Sequence, residues 1–464
     1  MDTAHNQQVA CECRPAIAIS ARDEKRMNMK AMLSEKSLRP KTESYQLFLA
    51  RTFALVTLCA VPISTAGVNL GSGLVLLFAL LSPEVWRACG KIRTSPTSIV
   101  ALILFVALAL SMAYTSASND EAFNFLLKYR KLLLLPMLFL VFYGSDRSKW
   151  CRVAIWALFS ALTLTMLLTY TNFFGWTAIG PLHGNDPITK PWVFKDHISA
   201  GLMMAFLAYL SMALATASPK GIGQWLLRLV ALLALVNVLF VLQGRTGQVV
   251  AIAYMAVYVV VQLMKFKHQG KRTRWITTAA SVMLCMCLVV YSFTAKNSRL
   301  AETQQEITQF EVYNKNTSMG VRLEFYQRSL ELILHRPIAG YGVGSVRTEF
   351  ERLAKNSSGG RAAMASNPHN EFFLMGVQLG MVGVALFAWL LIAIARESLR
   401  LDTLARTVVY GYLFAFVIGC FANSLLLNFT EGNLFIFLIG ILLASGPRRE
   451  DTNGPAKETL SAAD

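Results

Sequence analysis

Apolar residues in this chain gather into long runs, each about the length needed to cross a bilayer, separated by short polar connections. Taking a span as roughly 20 mostly apolar residues, twelve candidates lie near 46–63, 68–82, 97–114, 124–143, 151–170, 197–216, 224–243, 247–264, 275–294, 371–395, 406–427 and 431–446. The second and the last are short, and charge interrupts the fourth. The pattern predicts an all-α integral membrane protein of about twelve transmembrane helices.

Basic residues in the connections test that arrangement, because lysine and arginine accumulate on the cytoplasmic side. With the N-terminus inside, the inner connections carry Arg87, Lys91 and Arg93; Arg147, Lys149 and Arg152; Lys220; Lys265, Lys267, Lys271, Arg272 and Arg274; and Arg396, Arg400 and Arg406. The short outer connections carry only Arg245. Fifteen against one supports the alternation of twelve spans, with both termini cytoplasmic.

Two outer segments are too long to be simple turns. Residues 171–196 hold His183, Lys190, Lys195 and Asp196, and residues 295–370 form the largest polar insertion. Within the insertion Leu323, Phe325, Tyr326, Leu330, Ile333 and Leu334 recur near helical spacing, ahead of Pro337 and the turn Gly340-Tyr341-Gly342-Val343-Gly344. A second short helix is expected over Ser345 to Lys355, then a Ser/Gly-rich hinge through Gly360. The expected layout is a polar inner tail at 1–45, spans one to nine at 46–294, a small helical outer cap at 295–370, spans ten to twelve at 371–446, and an inner tail at 447–464. No internal duplication of the hydropathy pattern is visible, which weighs against a secondary transporter built from repeated halves.

Composition agrees with a polytopic membrane protein: 55% hydrophobic, 15% charged, mean hydropathy +0.46. The formal charge of +17 does not indicate nucleic acid, since most basic residues sit in short connections or tails. Residues 1–46 are polar with no early apolar run, so the first span is expected to act as an uncleaved insertion signal. Of the eight cysteines, none falls in the outer segments, and Cys11-Glu12-Cys13 has the wrong spacing for a zinc knuckle. A disulfide framework or thiolate metal site is not expected.

Candidate chemistry collects at the outer boundary. In Ser366-Asn367-Pro368-His369-Asn370-Glu371-Phe372-Phe373 the polar insertion ends and an apolar run begins. Asn367 fits an N-cap and Pro368 a first helical residue, which would put His369 in the first turn, where the helix dipole favours its neutral, basic form. The alternative is an interfacial cap residue. Arg245, in Gln243-Gly244-Arg245-Thr246-Gly247, offers a planar fork suited to phosphate, beside glycines that let a ligand approach the backbone. Its alternative is snorkelling to lipid headgroups.

Lys128, Arg130 and Lys131 break the outer end of the fourth span, and could face a cavity or lipid phosphate. Lys195 and His197 form a third polar cluster that Asp196 could neutralise. Arg322 and Arg328 lie on the first cap helix, where Glu324 and Glu331 could pair with them. The glycine turn at 340–344 is weak as a phosphate cradle without a preceding strand, and reads first as a loop between two helices. The outer histidines, His183, His335 and His369, are scattered and without acidic partners at ligand spacing, so no metal site is expected.

Taken together, Pro368-His369-Asn370-Glu371-Phe372-Phe373 leading to Leu379-Gly380-Met381-Val382-Gly383, the Arg322-to-Arg336 helix with His335 to Ser345 behind it, and Gly244-Arg245-Thr246-Gly247 resemble the O-antigen ligase family. These bacterial membrane glycosyltransferases share a superfamily with O-antigen polymerases and protein O-oligosaccharyltransferases. The resemblance covers roughly residues 230–400. It implies a multi-pass protein of the bacterial inner membrane whose cap and active site face the periplasm. The implied reaction moves a glycan from an undecaprenyl-pyrophosphate donor to a sugar hydroxyl of lipid A-core, with inversion and with neither metal nor other cofactor. By the same resemblance His369 is the base, and Arg245 and Arg322 hold the pyrophosphate. Lys128, Arg130, Lys131, Lys195 and His197 are further candidates to bind pyrophosphate or lipid phosphate. A polymerase, a protein-directed transferase, a lipid-linked oligosaccharide transporter and a structural scaffold stay open. The transporter would not need a base.

Overall fold

The computed structural model describes residues 43–143, 147–181, 186–242, 244–266, 279–280, 282–283, 285–291, 318–356 and 366–444. The two tails, His183, Gln243, the basic run Lys267 to Arg274, most of the span expected at 275–294, residues 295–317 and the hinge at 357–360 lie outside the described residues.

Among the described residues every element is helical: α1 (Tyr45–Ala60), α2 (Thr65–Leu80), α3 (Pro83–Ala88), α4 (Pro96–Leu110), α5 (Asn119–Tyr129), α6 (Leu134–Val141), α7 (Arg147–Phe173), α8 (His197–Ala217), α9 (Ile222–Val236), α10 (Arg245–Phe266), α11 (Ser318–His335), α12 (Val346–Asn356), α13 (Glu371–Ser398), α14 (Thr403–Ala422) and α15 (Phe429–Leu443). Polar residues at their starts explain where many begin. Ser44, Ser64, Ser95, Ser118, Asp196, Asn370 and Asp402 each accept a hydrogen bond from a first-turn amide, satisfying donors that the helix leaves open.

The chain is an all-α membrane protein. Among the described residues seven helices are long and apolar enough to cross a bilayer: Pro96–Tyr114, Lys149–Phe173, His197–Ala217, Ile222–Val241, Arg245–Met264, Glu371–Ser398 and Thr403–Ala422. Four of the other expected spans differ in form. The run at 68–82 is α2, which turns by 77° into Pro83–Thr94, and the two together make an eighth span if counted as one. The first and last runs form α1 and α15, apolar but only 16 and 15 residues long. The run at 124–143 is not one helix: a 3₁₀ turn over Arg130–Leu133 separates α5 from α6. Cations at that break have a cause, since Lys131 turns into the protein there instead of continuing along the helix face.

Helices α8 and α15 form the centre. Most residues of α8 and nearly every residue of α15 are buried, whereas α4, α9 and α10 present exposed Val106, Leu110, Leu226, Leu229, Val257 and Val260 outward, as lipid-facing helices do. Small residues bring backbones close. A Cβ on Gly247 would come within 2.4 Å of the Gly201 carbonyl carbon, and one on Gly244 within 2.2 Å of the His197 oxygen, so the turn that opens α10 lies directly on the start of α8.

The short helix expected over Ser345 to Lys355 is found as α12, and the one expected from the spacing of Leu323 to Leu334 as α11. The glycine turn between them is indeed a loop, and its amides are spent. Helix α13 breaks at Gly380, at φ +64. The carbonyls of Val377 and Gln378 freed by that break accept from Tyr341 N and Gly342 N, both at 2.8 Å, and Met381 N donates to Pro337 O at 2.7 Å. Val343 N donates to Ser111 Oγ and Gly344 N to the Gln378 side chain. Backbone at a broken helix must find partners within the protein, and here the turn supplies them instead of cradling a phosphate.

Candidate active site

The histidine stretch meets the bundle at one point. Helix α13 starts three residues later than the sequence suggests: Asn370 is its cap, accepting from Phe372 N at 2.9 Å and Phe373 N at 3.1 Å. Asn367 is therefore not the N-cap and His369 is not in the first turn. Asn367 instead accepts from His369 N at 2.9 Å, folding the backbone so that His369 adopts φ +54. Among the described residues it is the one non-glycine with positive φ. A histidine pays for that conformation, so the surroundings must over-determine it.

Those surroundings come from α11 and from the segment 421–428 that joins α14 to α15. The His369 ring stacks on Phe325 at 6.1 Å, with the planes 16° apart. Tyr326 donates to the Phe421 carbonyl at 2.7 Å, with the His369 carbonyl 3.3 Å away. Ser424 donates to Asn367 at 2.6 Å, and Asn370 Nδ2 to Phe421 O at 3.1 Å. Burial holds the His369 imidazole below its ordinary pKa of 6.5, and the positive charge of Arg322 adds to the effect. A base kept neutral beside a fixed cation results, by a route other than the helix dipole.

Arg322 lies one turn before Tyr326 on α11, and the structure thus brings it into the electrostatic reach of His369. Arg328 pairs instead with Glu324, at 3.9 Å on the same helix. Arg245 opens α10, and its neighbour Thr246 accepts from Asn423 Nδ2 at 2.8 Å. Segment 421–428 thereby bridges the arginine turn to the histidine loop.

The remaining candidates divide. Lys195 is buried and His197 half-buried at the start of α8, the His197 ring 5.4 Å from Trp192, beneath the Arg245 turn. Burial lowers the Lys195 pKa, with Glu431 and Asp196 opposing. Asp196 is the α8 cap, accepting from Ile198 N and Ser199 N. Lys128 and Arg130 are exposed, with the Lys128 ammonium 4.9 Å from the centre of the Phe125 ring. Lys131 is buried and donates to the carbonyls of Leu427, at 3.1 Å, and Asn428. These bonds take two of its three protons, so it shapes segment 421–428 from behind. Exposed His335 binds its own helix through the Glu331 carbonyl. Among the described residues no group of three His, Cys, Asp or Glu could hold a metal ion.

Sequence reasoning missed Glu371, Tyr129, Tyr326, Asn423, Ser424 and Glu431. Two of them carried a signal: buried carboxylates at 371 and 431 stand inside apolar runs, where an ionisable residue marks a site by default.

Residues 229–388 match the family model described as O-antigen ligase. That stretch is O-antigen ligase family sequence. It holds His369, Arg245 and Arg322, together with the helix, glycine turn and Gly380 break that join them. Members of this family are glycosyltransferase-like membrane enzymes of the O-antigen ligase and polymerase type. No curated protein matches the chain.

Proposed function

We propose that the protein is an O-antigen ligase, moving a glycan from undecaprenyl pyrophosphate to a sugar hydroxyl of lipid A-core at the periplasmic face of the bacterial inner membrane. In this reading the chain crosses the membrane about twelve times with both termini in the cytoplasm, and α11 and α12 belong to a periplasmic cap. His369 takes the proton of the acceptor hydroxyl as its oxygen attacks the anomeric carbon. The bond from that carbon to the pyrophosphate oxygen breaks from the opposite side, so the configuration inverts. Arg245 and Arg322 carry the negative charge that gathers on the departing undecaprenyl pyrophosphate, with Lys195 and His197 nearest to the Arg245 turn.

The observation that supports this best is the convergence on segment 421–428. One short link holds the loop of a half-buried, depressed-pKa histidine and, through Asn423 and Thr246, the turn of an arginine from a distant helix. A base and an anion holder fixed on one frame suit acid–base group transfer, and a transporter has no need of the base.

The test is transfer by the purified full-length protein in detergent, with a chelator present, from an undecaprenyl-pyrophosphate glycan to lipid A-core. His369→Ala should lower kcat by about 10²–10⁴ with the thermal midpoint unchanged. Elongation of the donor without modification of lipid A-core would move the assignment to a polymerase. Equal activity in the variant would remove His369 as the base.

A further inference from the structure

Glu371 lies two residues after His369, fully buried, and takes no part in the reaction drawn above. Its Oε2 accepts from the backbone amides of Leu426, at 2.8 Å, and Leu427, at 3.3 Å, while its Oε1 lies 3.4 Å from the Tyr129 hydroxyl. Tyr129 belongs to α5 and is itself fully buried. On the other side of the same backbone, Lys131 draws on the carbonyls of Leu427 and Asn428. The peptide planes at 426–428 are therefore gripped on their N–H side by a carboxylate and on their C=O side by an ammonium. A third buried charge, Glu431, completes the set, bound by Ser199 of α8 at 2.7 Å. The fit is tight, since a Cβ on Gly432 would come within 2.4 Å of the Lys131 nitrogen and 2.6 Å of the Leu426 oxygen.

Both carboxylate oxygens of Glu371 are thus engaged by protein donors, and the whole group is buried away from the histidine's outer surroundings. Hydrogen bonds to an ionised group are among the stronger ones a protein makes, and a backbone amide buried without an acceptor is costly. The carboxylate is what gives the amides at 426 and 427 a partner, in a link that is not yet helical. The other end of that link reaches both functional parts: Asn423 the Arg245 turn, and Phe421 and Ser424 the histidine loop.

We propose that Glu371 is a positioning residue, whose grip on the 426–427 backbone, opposed by Lys131, sets segment 421–428 and so holds the Arg245 turn in register with His369. The inference rests on the functional reading above. It extends that reading to a residue that does not touch the reacting atoms.

The experiment compares Glu371→Leu and Glu371→Gln in the purified full-length protein, measuring glycan transfer and the binding of undecaprenyl pyrophosphate alone. Glutamine keeps an oxygen for the two amides and can turn its NH₂ towards the tyrosine oxygen, so it should hold both measures within about fivefold. Leucine should lower kcat by about 100-fold, the scale of an ångström of misplacement, and weaken undecaprenyl pyrophosphate binding by about tenfold. Both variants should keep the acid limb of the pH–rate profile, because the base is His369. Asn423→Ala acts at the far end of the same link, so its effect should be less than additive with that of Glu371→Leu. If Glu371→Leu does not fold, Asn423→Ala alone should still lower kcat without lowering the thermal midpoint in proportion.

Wild-type kcat in Glu371→Leu, additive effects, or loss only in step with the folded fraction would overturn the proposal. So would disappearance of the acid limb in Glu371→Gln, which would make Glu371 the titrating base. A wild type that elongates its donor defeats the ligase reading alone, and the same comparison then runs on elongation. A wild type with no transfer defeats the enzyme reading, and the gap in undecaprenyl pyrophosphate affinity between the leucine and glutamine variants still decides the role of Glu371.

Discussion

Two buried charge clusters in this protein differ in what their charges are used for. In the first, Arg51 of α1 pairs with Glu43 at 2.9 Å and gives its other donors to the carbonyls of Val141, at 2.8 Å, and Tyr143. The guanidinium also lies 5.9 Å from the Trp150 ring. That cluster ties α1 and the residue two before it to the end of α6. In the second, the Lys131 ammonium lies in the field of Glu371 and Glu431, and lysine and glutamate alike spend their hydrogen bonds on the 426–428 backbone. A buried pair whose spare donors go to the end of a neighbouring helix mainly fixes two helices. Charges that grip an irregular backbone can give it a shape that helical hydrogen bonding would not, and that backbone borders the histidine and arginine loops.

The largest effect expected from breaking this contrast is on stability. Arg51→Met takes the guanidinium away from Glu43 and should cost about 3–5 kcal/mol, as loss of one partner of a buried pair does. Thermal unfolding would show the lowered midpoint, while kcat per folded molecule stays at the wild-type value. A matching loss of kcat would mean that the first cluster also reaches the site. Next comes Arg245→Lys, which keeps the charge but loses the planar fork. Transfer assays should show kcat lower by about 100-fold at an unchanged midpoint.

Gly247→Ala sits between the two kinds of effect. Its methyl meets the Gly201 backbone, which cannot yield as a flexible side chain would. A stability loss of about 1–3 kcal/mol is expected from the overpacking, and, unlike Arg51→Met, a fall in kcat with it, because the displaced turn carries Arg245. Unchanged kcat in that variant would uncouple the turn from the chemistry.

The smallest effect is a displacement along the pH axis. Burial and Arg322 hold the folded-state pKa of His369 below the ordinary 6.5. The unfolded chain therefore binds the proton more readily, and stability is lost as pH falls from 6.5 to the depressed value, then levels off below it. The acid limb of the pH–rate profile should likewise lie below 6.5. Arg322→Gln removes a cation that opposes protonation, so the limb should move up towards 6.5. A limb that stays in place would mean that burial alone sets it.

The local parts of this protein were legible without its structure. Apolar runs long enough to span a bilayer become helices wherever they are unbroken, since a helix satisfies its backbone within the run, and seven candidates were realised at close to their expected bounds. Helices α11 and α12 and the loop between them followed from spacing and glycine. His369, Arg245 and Arg322 stood out because their surroundings in the sequence are short and particular. The cap position was misjudged by a few residues because Asn367 and Asn370 are equally good caps by type, and only the partners of Asn367, the His369 amide and Ser424, decide between them.

Tertiary structure alone decided what could not be local. Lys131 reads as one more outer cation until its ammonium is seen on a carbonyl 296 residues further along the chain. Glu371 reads as the fourth residue of a motif until its carboxylate is seen holding the link between the last two helices. The glycine turn reads as a loop whose amides are open until the break at Gly380 takes them. In each case the role is set by which backbone groups are left without helical partners once the bundle closes. That is a property of the packed helices together, and no run of neighbouring residues carries it.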